Sequence, residues 1–407
     1  MIARVFIPIL LMILLADLFV DLHFLRRASH HRRMRRALWW LPGVIVAVYT
    51  IYMAVLPDFA PAGNGVLNTY LFLIGFLVVP KFVFAFCSVA GWLVRWLSGF
   101  RLRHNYGHHV GLVLVFVQWY ILVYGATIGF SKLTVRHFDF YSEELPPDFD
   151  GYRIVQFSDA HVGTYSKSKR HILERAIDSI NNQKADLVVF TGDLQNMKPT
   201  EVYPHTSALS RLRAKDGVIS ILGNHDYAVY IETDEQTKDS LLREMIALQR
   251  QMGWKLLRNE HVTLHRGNDS IVIAGMENDG ESLRAPKLGD VAKTMRGVPD
   301  DAFTVMLEHD PTCWRRKILP QCNAQLTLSG HTHAMQFELF GWSPASYIYK
   351  EWGGVYYEGQ RAINVSTGLG GFVPFRFGVP GEIVVITLHQ KKRAEPKPTE
   401  WERMIKE

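Results

Sequence analysis

The stretch Leu222-Gly223-Asn224-His225-Asp226-Tyr227 carries three side chains able to bind a cation and move a proton. The apolar run Val218-Ile219-Ser220-Ile221-Leu222 reads as a buried strand that stops at a glycine, where the chain can turn sharply. At that carboxyl end the amide oxygen of Asn224 can ligate a hard cation. The His225 imidazole can face a substrate oxygen, and Asp226 can hold that imidazole in one orientation. Further polar clusters follow other apolar runs: Asp159 and His161 after 153–157, Gly192-Asp193 after 187–191, Glu308-His309-Asp310 after 303–307, and Gly330-His331-Thr332-His333 after 325–328. The one-residue spacer places Asp159 and His161 on one side of an extended chain, within reach of one metal. His331 and His333 have the same spacing and need not share an ion.

The elements that must position these groups alternate between strand-like and helix-like. Residues 169–181 put Ile172, Leu173, Ala176, Ile177 and Ile180 on one helical face, 206–213 read as a short helix, and 237–252 as an amphipathic one. Residues 255–257, 261–265 and 271–275 read as hairpin strands, and 362–365 and 382–388 close the domain. This pattern predicts an α/β sandwich, two sheets flanked by helices, over residues 151–390. Buried strands that repeatedly end in Asp, His or Asn at one edge of such a fold converge on one crevice. Carboxylate, amide and imidazole donors without thiolate suit Mn, Fe or Zn held for chemistry, not a structural zinc.

The 407-residue chain begins differently. Apolar stretches at 2–25, 37–56, 66–94 and 110–130 predict a four-helix membrane domain over 1–130; the second and fourth are about 20 residues without charge, enough to cross a ~30 Å hydrocarbon core. The third is interrupted by Pro80-Lys81, so either a kink there or an interfacial continuation anchored by Trp92 and Trp96 is expected. Asp17, Asp21 and Lys81 at membrane depth are read as interhelical pairs or as side chains snorkelling near helix ends, in preference to an ion or lipid-headgroup path, since no run of such residues forms a relay. Residues 131–150, with strand-like alternation at 133–140, are expected to be a linker, and the charged stretch 391–407 a tail. The net charge of +6 is concentrated between the first two apolar stretches, at Arg26, Arg27, Arg32, Arg33, Arg35 and Arg36. That places this connection, and the one bearing Arg101 and Arg103, on the cytoplasmic side, and the globular domain on the outer face. Cys87, Cys313 and Cys322 match no zinc spacing and are read as packing residues.

Taken together, the polar blocks resemble those of the calcineurin-like metallophosphoesterase superfamily: Asp159/His161, Gly192-Asp193, Gly223 to Asp226, His309, and Gly330 to His333, in that order. The resemblance implies one metal held by Asp159, His161, Asp193 and His333, and a second by Asp193, Asn224, His309 and His331, with Asp193 bridging. The lead-in Leu145-Pro146-Pro147 and the closing Asn364 to Gly370 are similar to a membrane-linked bacterial branch that includes phosphodiesterases and a lipid UDP-sugar pyrophosphatase. Ala334-Met335 depart from that branch, where two glycines are common.

Two divalent cations about 3.5–4 Å apart can clamp phosphoryl oxygens and activate a bridging water for in-line attack. His225 is the expected general acid, steadied by Asp226. The expected partners are the lipid bilayer and a phosphoester or pyrophosphate substrate, lipid-linked by preference, with a tethered general phosphodiesterase or a non-catalytic metal-binding sensor as alternatives. No nucleic acid is expected, because the loop 227–236 carries Glu232, Asp234 and Glu235. Trp342, Tyr347, Tyr349 and Trp352 could wall an acyl chain or pack a sheet edge. Arg376 could meet a phosphate or pair with Glu382.

Overall fold

The computed structural model describes residues 2–26, 32–56, 64–165, 167–282 and 285–391. The tail beyond 391 and residues 27–31 of the first basic connection lie outside the described residues. The chain forms two compact units: Met1–Lys132 with Tyr230–Glu235 and Gly371–Pro380, and Leu133–Val229 with Gln236–Gly370 and Gly381–Glu407.

In the first unit, four helices are long and apolar enough to cross a membrane, Val5–Leu25, Arg33–Val55, Gly65–Leu97 and Gly107–Gly129. The third contains a π-helical turn, Ile74–Val78, just before Pro80. Proline has no N–H, so a carbonyl one turn back is freed. Trp119 Nε1 on the fourth helix donates to the Phe76 carbonyl at 2.9 Å, and Gln118 donates to that of Gly75 at 2.8 Å. The ionisable residues pair between helices: Lys81 Nζ reaches Asp17 at 2.6 Å, and Arg36 grips Asp21 through two bonds of 2.7 Å. Segment 371–380 belongs to this unit, where Arg376 N donates to the Gly125 carbonyl at 3.0 Å and Phe377 packs on Tyr120 and Tyr124. Arg376 is buried and its Nη1 donates to the Val379 and Pro380 carbonyls. Glu382 instead takes Arg136, at 2.8 Å.

The second unit contains two six-stranded sheets. The first comprises β1 (Leu133–Tyr141), β2 (Arg153–Phe157), β3 (Leu187–Thr191), β4 (Val218–Ile221), β5 (Lys255–Leu256) and β12 (Gly381–His389), in the order β1-β12-β2-β3-β4-β5. The second has the order β10-β11-β9-β8-β7-β6, built from β6 (Glu260–Arg266), β7 (Asp269–Gly275), β8 (Thr304–Leu307), β9 (Leu326–Ser329), β10 (Gly354–Glu358) and β11 (Arg361–Val365). Ile154, Val189 and Ile219 from one sheet share a core with Ile273, Val305 and Leu328 from the other. The central strands β3, β4, β8 and β9 are buried throughout, as strands covered on both faces must be. The helix Arg170–Asn182 buries one apolar face, Ile172, Leu173, Ala176, Ile177 and Ile180.

Two expectations are corrected. The stretch 131–150 is not simply a linker: β1 pairs in parallel with β12 along its whole length, because its alternating residues complete the sheet edge. Residues 255–256 pair in parallel with β4 and not with the β6–β7 hairpin.

Candidate metal centre

Strands β2, β3 and β4 run parallel, so the residues that follow them emerge at one edge of the first sheet; β8 and β9, also parallel, do the same in the second. The structure brings Asp159, His161, Asp193, Asn224, His225, His309, His331 and His333 to this edge. Three groups offer donor atoms within 4.8 Å of one another: Asp159 with His161 and His333, His161 with Asp193 and His225, and Asp193 with His309 and His331. Asp193 and His161 each belong to two groups, so the groups form one continuous centre.

Strand alternation does not make this convergence. Asp159, His161, Asp193, His331 and His333 all have positive φ, between 44° and 74°. Left-handed backbone is costly for such residues and is held by tertiary bonds. Asp159 N donates to the Gly192 carbonyl at 2.8 Å, and His161 N to that of Asp193 at 3.1 Å. Two glycines leave room for the close approach. A Cβ on Gly192 would lie 2.7 Å from His309 Nδ1, and one on Gly330 would collide with the Asp159 carboxylate.

The donor set fits cations. His309 Nδ1 donates to the Thr191 carbonyl at 2.7 Å, so in the neutral ring Nε2 presents a lone pair to Asp193 Oδ2 at 3.2 Å. His331 Nε2 has Tyr349 Oη at 3.2 Å and Asp310 Oδ2 at 3.5 Å, while its Nδ1 lies 2.9 Å from Asn224 Oδ1. His333 Nε2 faces Asp159 Oδ1 at 3.2 Å. Lone pairs converging on carboxylate and amide oxygens repel each other unless a positive charge lies between them. The field points the same way. Burial alone would depress His309, but the neighbouring Asp193 charge outweighs it and raises the imidazole well above its usual value. Burial, reinforced by His225, pushes His161 down to about 3.

Asp226 has a different task from the one expected of it. Its carboxylate accepts the N–H groups of Gly223, Asp193 and Leu194 at 3.0 Å each and of Gln195 at 3.3 Å. It occupies the third position of the single turn Asn224–Tyr227 and reaches back to the residue before that turn, a capping arrangement. The His225 ring is held through Nδ1, which lies 2.6 Å from the Asn196 carbonyl. Asn196 is itself fixed by half-buried Glu201, whose Oε2 accepts the N–H of Asn196 at 2.6 Å and of Met197 at 3.2 Å.

The sequence model of the family described as "Calcineurin-like phosphoesterase" matches residues 152–335, and one described as "Probable Calcineurin-like phosphoesterase, transmembrane domain" matches residues 3–130. The metallophosphoesterase YkuE of Bacillus subtilis is 34% identical over 258 residues, covering 61% of this chain and 82% of the relative. The chain belongs to the calcineurin-like metallophosphoesterase family. It is thus a phosphoester hydrolase with a membrane domain. The UDP-2,3-diacylglucosamine pyrophosphatase LpxG of Chlamydia trachomatis is 26% identical over 298 residues, covering 60% of this chain and 86% of LpxG. The transmembrane protein with metallophosphoesterase domain of Danio rerio is 29% identical over 279 residues, covering 66% of this chain and 60% of that longer relative.

Within this metallophosphoesterase, sequence reading missed Asn196 and Glu201. The capping role of Asp226 was recoverable from its place three residues after Gly223, whereas Glu201 ends a single short 3₁₀ turn, Pro199–Glu201, too brief to show periodicity. Asp310 was visible beside His309, but its proximity to His331 arises only from the fold.

Proposed function

We propose that this membrane protein is a dinuclear phosphoesterase that cleaves a phosphodiester or pyrophosphate bond in a lipid-linked substrate, with its catalytic domain on the outer face. The observation that carries the reading is the continuous centre through Asp193, which offers one oxygen to the His225 backbone N–H at 2.8 Å and turns the other toward His309 and His161. Asp159, His161, Asp193 and His333 would hold one cation, and Asp193, Asn224, His309 and His331 the other. Such cations supply Lewis-acid clamping of phosphoryl oxygens and water activation near neutral pH. His225 also lies near Asp193 and His161, but its Nδ1 is engaged by Asn196. Its Nε2 is therefore assigned to carry a proton to the leaving oxygen, a role worth about 10² to 10⁴ in rate.

The lipid-linked substrate is supported by the membrane domain and by the name of the LpxG relative. The outer face is supported by the basic connections at 26–36 and 101–103. The test is hydrolysis, by purified protein in detergent with Mn, of a lipid-linked nucleotide diphosphate, bis-p-nitrophenyl phosphate and p-nitrophenyl phosphate, each beside His225→Ala. Turnover of the lipid substrate, lost in the variant, is expected. Turnover of the small diester alone would leave the chemistry and remove the substrate class. Labelling of Asp178→Cys in intact cells by a membrane-impermeant maleimide tests the orientation.

A further inference from the structure

A hairpin that follows His333 holds apolar side chains in the open. Leu339 and Trp342 exchange backbone bonds of 2.8 and 3.1 Å, and the turn between them is Phe340-Gly341, both at positive φ (51° and 80°). A two-residue turn of this kind suits Asn-Gly or Gly-Gly, and a bulky aromatic at its first position is strained. Phe340 stands there fully exposed, at 100%. Leu339, Trp342, Tyr347 and Ile348 are exposed as well, Tyr347 at 81%, and the rings of Trp342 and Tyr347 meet edge to face with centroids 5.9 Å apart. The base of the hairpin is fixed. Ser343 Oγ donates to the Ala334 carbonyl at 2.6 Å, and Thr332 Oγ1 donates to that of Trp352. The projection is therefore rooted beside His333 of the candidate centre.

Packing inside this unit does not account for a strained Phe340 and its apolar neighbours in water. Of the aromatic residues singled out in the sequence, Tyr349 meets the centre through His331, while Trp342 and Tyr347 are exposed. Because the same chain carries four helices of membrane length, this domain is tethered to a lipid–water interface. Trp and Tyr favour that interface, with Phe, Leu and Ile below it. Residues 335–348 include no Lys or Arg and a single carboxylate, Glu338, so the contact is apolar and needs no anionic headgroup.

We propose that the Leu339–Trp342 hairpin, with Tyr347 and Ile348, seats in the interfacial zone of the bilayer as a second membrane contact of the chain. This does not rest on the lipid-linked substrate. The test uses the full chain in phosphatidylcholine nanodiscs, with Cys87, Cys313 and Cys322 replaced by alanine and an environment-sensitive fluorophore on Phe340→Cys. The control carries the fluorophore on Asp178→Cys, an exposed position on the helix Arg170–Asn182. Bis-p-nitrophenyl phosphate hydrolysis verifies folding of each variant. The expected result is a blue-shifted emission at position 340, quenched at least about twofold by acyl-chain spin-labelled lipid and insensitive to salt, with neither effect at position 178.

Replacing Trp342 and Tyr347 with serine should leave diester hydrolysis unchanged and abolish the quenching. Emission at 340 that matches the control would overturn the proposal. So would a blue shift that depends on protein concentration without lipid quenching, which would assign the hairpin to a second copy. Quenching at 340 without turnover of the lipid-linked substrate would keep this contact and remove the substrate reading; turnover without quenching would do the reverse.

Discussion

The Nδ1 of His225 lies 2.6 Å from the carbonyl oxygen of Asn196, and the Asn196 N–H lies 2.6 Å from the Glu201 carboxylate. The ring of the candidate acid thus meets a main-chain carbonyl whose own residue is fixed by Glu201.

Glu201→Ala should therefore lower kcat while leaving metal content unchanged. It strands the buried N–H groups of Asn196 and Met197, so it should also cost about 1–3 kcal/mol of stability. Elemental analysis beside kinetics and denaturant melts would check this; loss of metal in step with activity would place Glu201 in the metal framework instead.

Asp186 should make the fold acid-sensitive. Burial pushes its carboxyl up, but Lys215 at 2.6 Å, the Arg153 N–H and Arg266 at 2.9 Å outweigh that and leave it below the usual carboxylate value. A depressed pKa contributes stability that is present above the unfolded value, about 3.9, and is lost as pH falls through the folded one. Asp186→Asn should accordingly be destabilised near neutrality, with a deficit that shrinks below about pH 4. Denaturant unfolding of metal-free protein across that window reads the difference.

Met335 has φ 49° and ψ 25° and is 41% exposed. Glycine has no Cβ penalty in this conformation, so Met335→Gly should stabilise the protein by about 1 kcal/mol. A lower melting temperature would show that the methionine side chain repays its strain by packing.

In the membrane unit, Asp17 and Lys81 are best tested together. Lys81→Met leaves a buried carboxylate without its cation and should destabilise by about 3–5 kcal/mol, whereas Asp17→Asn combined with Lys81→Met should recover most of the loss. Thermal unfolding in detergent distinguishes a paired structural role, with recovery, from an independent role of each residue, without it.

Much of this was legible in the sequence because strand ends announce themselves. Each apolar run that stopped at Asp159, Asp193, Asn224, His309 or His331 proved to be a strand or its end, and the four apolar stretches proved to be helices of membrane length. What the residues could not reveal was how they turn. The left-handed backbone at Asp159 and His161 is held by bonds to Gly192 and Asp193, residues of another strand's loop. Likewise β1 read as a linker because its partner β12 lies at the far end of the chain. Arg376 offered no local cue that Glu382 would be taken by Arg136.

The most direct test of the central claim is metal stoichiometry and bis-p-nitrophenyl phosphate hydrolysis measured on the same samples of wild type, His225→Ala and Asp193→Ala. Two divalent ions per chain are expected in the first two proteins, and their loss in Asp193→Ala. Turnover should fall by about 10² to 10⁴ in His225→Ala without loss of metal. Full activity in either variant, or a fully active wild type holding one ion, would contradict it.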